Sequence, residues 1–280
     1  MHDSNILLVA SKQDLASMNI LNNLMELIDF EPTNIIFHGN RLLFSKTLNA
    51  YLLVIECDLI RADFLDELSD DFNRLIFLSK HASESKLPSL LVHFPGNWTA
   101  DNSMGGRPEE LSIADPEVLK EVAVRLYQYK HDGLIPEIYT IGIEVTHHGP
   151  TIGKACTFIE IGSDAESWKD PNAGRVIAEV IIDSVKNLKD KKGTAKLGLG
   201  GPHYGPKFWS ILIHEKEILM GHIAPKYVID DLNKDTIRKA VSKSLLPIDC
   251  ALIDWKGLTS KQRTKLAQIL AELGLIYRRI

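Results

Sequence analysis

The sequence predicts an α/β fold, a mixed and largely parallel sheet with helices on both faces. Two observations carry this. Short leucine-rich or β-branched runs alternate with stretches of helical apolar spacing along almost the whole chain. The runs are also apolar enough to be buried, as strands covered on both sides must be. The chain of 280 residues is read as a single domain over 1–280, or two closely packed lobes at about 1–110 and 111–280.

The elements follow in order. "NILLVAS" opens as a strand and "DLASMNILNNLMELI" continues as a helix. "AYLLVIE", "RLIFLS" and "SLLVHF" are strands bounded by polar or turn residues. "DPEVLKEVAVRLYQY" is a helix with Asp115 as its cap and Pro116 in its first turn, where the missing N–H costs nothing. Residues 95 to 115 are the least regular segment and are expected to form a linker or a loop over a site. "EIYTIGIEVT" and "ACTFIEIG" are strands. "DPNAGRVIAEVIIDSVKNLKD" again opens Asp-Pro; Ile177, Val180, Ile181, Val185 and Leu188 make one stripe, and lysines crowd its end. "AKLGLG" and "EILMGHI" are further strands. In "TSKQRTKLAQILAELG", Thr259 and Gln262 have capping-box spacing and Gly274 ends the helix. "LIYRRI" closes the sheet.

Composition excludes several classes. The chain is 45% hydrophobic and 25% charged, as expected of a globular protein. Cys57, Cys156 and Cys250 are too scattered for a disulfide framework or a thiolate zinc knuckle, and a reducing compartment is the simplest reading. Neither a signal peptide nor a membrane span is expected. With a net charge of −5, any RNA contact must rest on a local patch. The run Lys186, Lys189, Lys191, Lys192 and Lys196 is the densest, with Arg278 and Arg279 as the alternative.

Three histidine groups follow strands: His93, then His147 and His148, then His203. Glycine and proline come after each, in "HFPGN", "HHGP" and "HYGP". Such turns let backbone N–H groups face a ligand. Strand alternation would send His147 and His148 to opposite faces, unless the chain already bends at His148. With Glu144 and Glu160 nearby, these residues suit zinc ligation or general-base chemistry. Among the remaining histidines, His81 and then His222 are the better candidates. No His-Glu-x-x-His, Cys-x-x-Cys or Gly-x-Ser-x-Gly motif occurs. "GLGGPH" is not a dinucleotide loop, since His203 stands where its third glycine belongs.

Taken together, "SKHAS", "HFPGN", "VTHHGP", "FIEIGS" followed by "SWKD", "GGPHYGPKF" and "MGHIAPKY" resemble the archaeal-type D-aminoacyl-tRNA deacylase family, in order over about residues 5 to 280. The family pattern Gly-Gly-Gly-His-Tyr-Ala-Pro is replaced here by Gly200-Gly201-Pro202-His203-Tyr204-Gly205-Pro206, which removes one backbone N–H at Pro202. The resemblance implies a phosphorylase/hydrolase-like α/β fold. It also implies hydrolysis of the ester between a D-amino acid and the terminal ribose of tRNA, with zinc, in the cytoplasm; a monomer is expected. His203, His148 and Tyr204 become the expected catalytic residues, and His93, His147, His148 and His203 the expected zinc ligands. Glu144, Glu160, Gly149, Pro150, Gly201, Gly205, Pro206 and Lys192 are the expected substrate contacts. The Gly-Pro turns are expected to wall off the L side chain. Two other readings remain open at this point: a non-catalytic tRNA- or nucleotide-binding module, and a phosphorylase-like nucleoside enzyme.

Overall fold

The computed structural model describes residues 5–188 and 193–280. The first sheet has eight strands: β1 (Ile6–Ser11), β2 (Glu31–Phe37), β3 (Asn40–Ser45), β4 (Ala50–Ile55), β5 (Arg74–Ala82), β6 (Ser89–His93), β7 (Thr140–Ile143) and β8 (Ala155–Ser163). Their order is β2-β3-β4-β1-β5-β8-β6-β7. The second sheet has four parallel strands, β9 (Ala195–Leu199), β10 (Met220–Ala224), β11 (Ile248–Ile253) and β12 (Ile276–Arg279), in the order β10-β9-β11-β12. The first sheet draws strands from both sides of residue 110, and the chain changes sheets between Ser163 and Ala195.

Strand direction positions the site. β4, β1, β5 and β8 run parallel. β6 pairs antiparallel to β8, and β7 follows β6. The sheet therefore reverses direction between β8 and β6, and chain ends from β5 and from β6 reach the same region from opposite sides.

The helices are α1 (Leu15–Leu27), α2 (Pro116–His131), α3 (Ala165–Lys169), α4 (Pro171–Asn187), α5 (Pro206–His214), α6 (Lys234–Ser242) and α7 (Ser260–Leu273). On the first sheet, α1, α2 and α4 bury Ile20, Leu24, Val122, Leu126, Ile177 and Ile181 against Leu8, Ile76 and Ile159. The other face carries Leu7, Val9, Phe77 and Phe158, covered by the 3-10 turns Leu59–Arg61 and Asp63–Glu67. Phe208 and Leu212 of α5 join the core of the first sheet together with Ile223 and Leu252 of the second. The second sheet packs Leu197, Ala251 and Ile253 with Ile237, Leu266 and Leu270 from α6 and α7.

Capping follows the sequence. Asp115 accepts from the N–H of Glu117 and Val118, ahead of Pro116. Asp170 accepts from Asn172 N–H, ahead of Pro171. Thr259 and Gln262 form the capping box of α7, and Gly274 ends it with φ 67°. Six elements lie where no periodic pattern announced them: β2, β3, α3, α5, α6 and β11. Exposed β2 has little apolar stripe, and α6 buries only Thr236, Ile237 and Ala240. β7 is shorter than the expected run: the ladder stops at Ile143, and Val145 and Thr146 turn to the second sheet. Val145 N–H bonds His203 O at 2.9 Å and Thr146 N–H bonds Ile223 O at 2.9 Å.

Candidate active site

The segment that leaves β7 carries the centre of the site, because it is stitched to both sheets. Glu144 N–H still bonds Val92 O at 3.1 Å on the β6 side, and two residues later the chain is held by the second sheet. His203 follows β9 and reaches the crossing through its own carbonyl. Strand alternation fails at the paired histidines, as a bend requires: His148 adopts φ 45°, a left-handed conformation uncommon for a side chain other than glycine, asparagine or aspartate. Both rings therefore approach His93. The centroids of His93 and His147 lie 4.3 Å apart, those of His147 and His148 4.4 Å, and those of His147 and His203 4.7 Å.

Each of three rings is anchored through Nδ1 to a backbone carbonyl: His93 to Phe94 O at 3.1 Å, His147 to Val145 O at 2.8 Å, and His148 to Gly149 O at 2.6 Å. A neutral ring donating at Nδ1 keeps its lone pair on Nε2, the arrangement that metal-ligating histidines favour. Burial holds His148 down to about pKa 3 and His147 well below its usual range, so both are neutral near pH 7. His93 and His147 with His148 bring ligand atoms within 4.8 Å of one another. His203 belongs instead with Glu144 and His147, so the four histidines form two overlapping groups that share His147.

The carboxylates sit behind and beside the rings. Glu144 Oε1 contacts His203 Nε2 at 2.7 Å and His81 Nδ1 at 3.3 Å. Glu160 Oε2 lies 3.5 Å from His93 Nε2 and 3.7 Å from His81 Nδ1. Both are almost wholly buried. Burial and the neighbouring Glu160 push Glu144 upward. For Glu160 the neighbouring His93, His148 and His81 outweigh burial and hold it low. Two buried carboxyls this close cannot both ionise, so Glu160 carries the charge and Glu144 the proton. Among the described residues, His93 Nε2 and Glu144 Oε2 are buried without a hydrogen-bond partner. Orphaned atoms of this kind fit a group that binds there.

The cluster opens into a cavity of about 590 Å³. His81, Glu160, His147, His148 and His203 line its floor, and the segment Gly96–Trp98 with Tyr227 lines its sides. The irregular segment 95–115 is thus a wall of this cavity, fastened by Gly96 N–H to His148 O at 2.7 Å. Gly96 has no room for a side chain, since a Cβ would meet Leu111 at 2.5 Å.

His81, a lesser candidate in the sequence, takes a central place. It is the penultimate residue of β5 and pairs in register with Gly162, where a Cβ would meet the His81 ring at 2.7 Å. Its Nε2 lies 3.2 Å from the Tyr204 hydroxyl. Tyr227 Oη lies 3.3 Å from His203 Nδ1; it closes the "MGHIAPKY" motif but was not singled out as a site residue. His222 is a fastening residue: wholly buried, it contacts Thr146 Oγ1 at 3.0 Å and Ser112 O at 3.0 Å.

The turn residues stand apart from the cavity floor. Gly149 is packed against the 95–115 segment, where a Cβ would meet Gly106 N and Ile60 O at 2.3 Å. Pro150 O accepts from Ser112 Oγ at 2.9 Å. Gly205 and Pro206 start α5, and Gly201 lines a different cavity. Lys192, like Lys189 and Lys191, lies outside the described residues. Lys196 Nζ is held by Asp249 Oδ1 at 2.6 Å, and Arg278 by Glu215 at 2.8 Å.

Fold and site together define an α/β protein with a buried histidine–carboxylate centre at the junction of two sheets. The family model described as D-aminoacyl-tRNA deacylase matches residues 68–277. The chain is 34% identical over 274 residues to the D-aminoacyl-tRNA deacylase of Pyrococcus furiosus, covering 96% of this chain and 97% of the relative. It is 35% identical over 282 residues to that of Methanocaldococcus jannaschii, covering 98% and 99%. The crystal structure of a conserved protein of unknown function superposes with a TM-score of 0.88 at 29% identity, covering 100% of this chain and 96% of that one. The chain belongs to the D-aminoacyl-tRNA deacylase family.

Proposed function

We propose that this protein hydrolyses the ester bond of D-aminoacyl-tRNA, releasing the D-amino acid and tRNA. The substrate follows from the family. The observation that carries the chemistry is the convergence of imidazoles, each pinned through Nδ1, on one cavity with a buried carboxyl pair. The reaction is a carboxylic ester hydrolysis, acting in the cytoplasm as a monomer. No helix among the described residues is long and apolar enough to cross a membrane.

The donor set fits zinc: converging imidazole nitrogens, nearby carboxylates and orphaned buried polar atoms. His93, His147 and His148 would hold it, and when bound it supplies a Lewis acid for the ester carbonyl and lowers the pKa of bound water. His203 is the group placed to take a proton from the attacking water. It is partly exposed at the cavity, neutral because burial and neighbouring His93 and His81 hold it near pKa 4, and backed at Nε2 by Glu144. With Glu144 protonated toward Nε2, His203 gives its Nδ1 proton to the leaving ribose oxygen as the Glu144 proton moves onto Nε2. A proton of the attacking water then returns to Nδ1 and restores the pair without a buried net charge. Glu160, ionised and on the cavity floor, holds the substrate ammonium. Tyr204 and His81 keep the carboxyl pair and His203 in place.

Chirality follows from fixing two substituents. With ammonium and carbonyl held, hydrogen and side chain exchange places between enantiomers. A rigid wall on one side then excludes the L form and tolerates varied D side chains. The Gly96–Trp98 wall, strapped to His148, is that surface. The decisive measurement is deacylation of D- and L-tyrosyl-tRNA side by side, with and without chelator. Hydrolysis of the D ester, reversibly lost on chelation, is expected; equal rates on both enantiomers would refute the assignment.

A further inference from the structure

Beyond Tyr227 lies a second cavity of about 480 Å³, lined by Gly201, Pro202, Lys226, Asp254 and Gly257. It opens past the C-terminal ends of β9, β10 and β11, where open parallel sheets take their ligands. Its size suits a nucleotide. Tyr227 is a wall of both cavities and is 62% exposed as a residue.

The lining has a definite chemistry. Asp254 Oδ1 holds Lys207 at 2.6 Å, while Oδ2 faces Gly201, whose missing Cβ would lie 3.3 Å away. Asp230 Oδ2 accepts from Gln262 Nε2 at 3.0 Å at the far side. Two carboxylates make an acceptor-rich pocket, which matches the exocyclic amine of cytosine or adenine. An exposed tyrosine offers the face on which such a base stacks. Exposed Lys226 lines the opening.

Next to Asp254 the cation–aromatic density rises. The Arg279 guanidinium lies 4.0 Å from the Trp255 ring centroid and that of Arg263 5.4 Å. The Tyr277 ring lies parallel to Trp255 within 5°, at 6.1 Å. Planar cations stacked on aromatic rings are a surface that nucleic acid uses for both phosphate and base contact. In a chain of net charge −5, this is a local patch of the kind RNA binding requires.

We propose that the second cavity receives the cytidine preceding the terminal adenosine of tRNA, and that Trp255 with Arg263 and Arg279 takes the strand beyond it. The proposal rests on the deacylase reading and adds a subsite to it. The path is continuous: ester at His203, Tyr227 between the two nucleosides, then Asp254 and Trp255.

The test compares kcat/KM for D-tyrosyl-tRNA with that for 2′(3′)-O-D-tyrosyl-adenosine, which ends before the second cavity. Gly257 tolerates a side chain, since a Cβ there makes ordinary contact with Asp254 at 3.5 Å, so Gly257→Gln fills the cavity without backbone strain. Arg279→Ala removes the stacked cation at the surface. In both variants the tRNA-to-adenosine ratio is expected to fall at least tenfold, mainly through KM for tRNA. A ratio unchanged from the natural protein, whether both substrates suffer or neither does, overturns the subsite while leaving the deacylase reading intact. Failure of the natural protein to hydrolyse either ester removes both.

Discussion

His203 and Glu144 meet at 2.7 Å, and the proposed proton transfer turns on this pair. Removing the imidazole takes away the proton acceptor and leaves the ligand group of His93, His147 and His148 untouched. His203→Ala is expected to lower kcat for D-tyrosyl-tRNA by about 100-fold or more, the size of a lost general base, with unchanged circular dichroism. Glu144→Gln keeps the shape but cannot shuttle the proton, so it is expected to lower kcat more than it raises KM. Full activity in His203→Ala would remove that residue from the mechanism.

His222 makes a different prediction at the same scale. Buried between Thr146 and Ser112, it is held near pKa 4 by desolvation, against about 6.5 in the unfolded chain. As pH falls, the unfolded state takes the proton first. The stability this residue contributes is therefore full above about 6.5 and is lost as pH drops toward 4, an effect of about 2 kcal/mol between pH 7.5 and pH 5. Urea unfolding at these two pH values should show His222→Gln losing that share of the acid sensitivity. An unaltered difference between the two pH values would count against this account.

At the scale of elements, the 95–115 segment decides the shape of the site. Asn97 Nδ2 bonds Gly105 O at 2.8 Å, and Trp98 Nε1 bonds Thr146 O at 3.1 Å. Gly149 sits under this segment with no space for a methyl group. The resemblance placed Gly149 among the expected substrate contacts, where a methyl group would act through substrate fit. The contact distances of 2.3 Å to backbone atoms of Ile60 and Gly106 point to displacement of the wall instead. The variant is expected to lose on the order of 1–3 kcal/mol of stability, as overpacked sites do, seen as a lower Tm. An unchanged Tm with altered KM would restore the earlier expectation. Trp98→Phe loses one buried hydrogen bond while keeping most of the packing, and about 1 kcal/mol is expected there.

At the scale of the molecule, the proposed ligand group draws on β6 and on the crossing between sheets, so metal binding there would be linked to the fold. A ligand that binds only the native state raises stability by mass action. Zinc addition to chelated protein is expected to raise Tm, and His93→Ala to abolish the shift and lower the metal content measured by elemental analysis. This readout does not depend on activity. No Tm shift with zinc in the natural protein would send the chemistry to His203 and Glu144 alone.

Much of the fold was legible in the sequence, for a local reason. Caps such as Asp115-Pro116, Asp170-Pro171 and Thr259 with Gln262 act within a turn of their helix, and the buried strands announce themselves by composition. The motifs likewise brought forward His93, His147, His148, His203, Glu144 and Glu160, which the fold gathers around one cavity. What tertiary structure alone decided is how they meet. Register across β5, β8 and β6 puts His81, Glu160 and His93 on one sheet face, and register is a property of pairs of strands. The positive φ of His148 turns two adjacent rings toward one point. The bonds from Val145 and Thr146 to the second sheet bring His203 to a segment some sixty residues earlier, through contacts that no local pattern of side chains encodes.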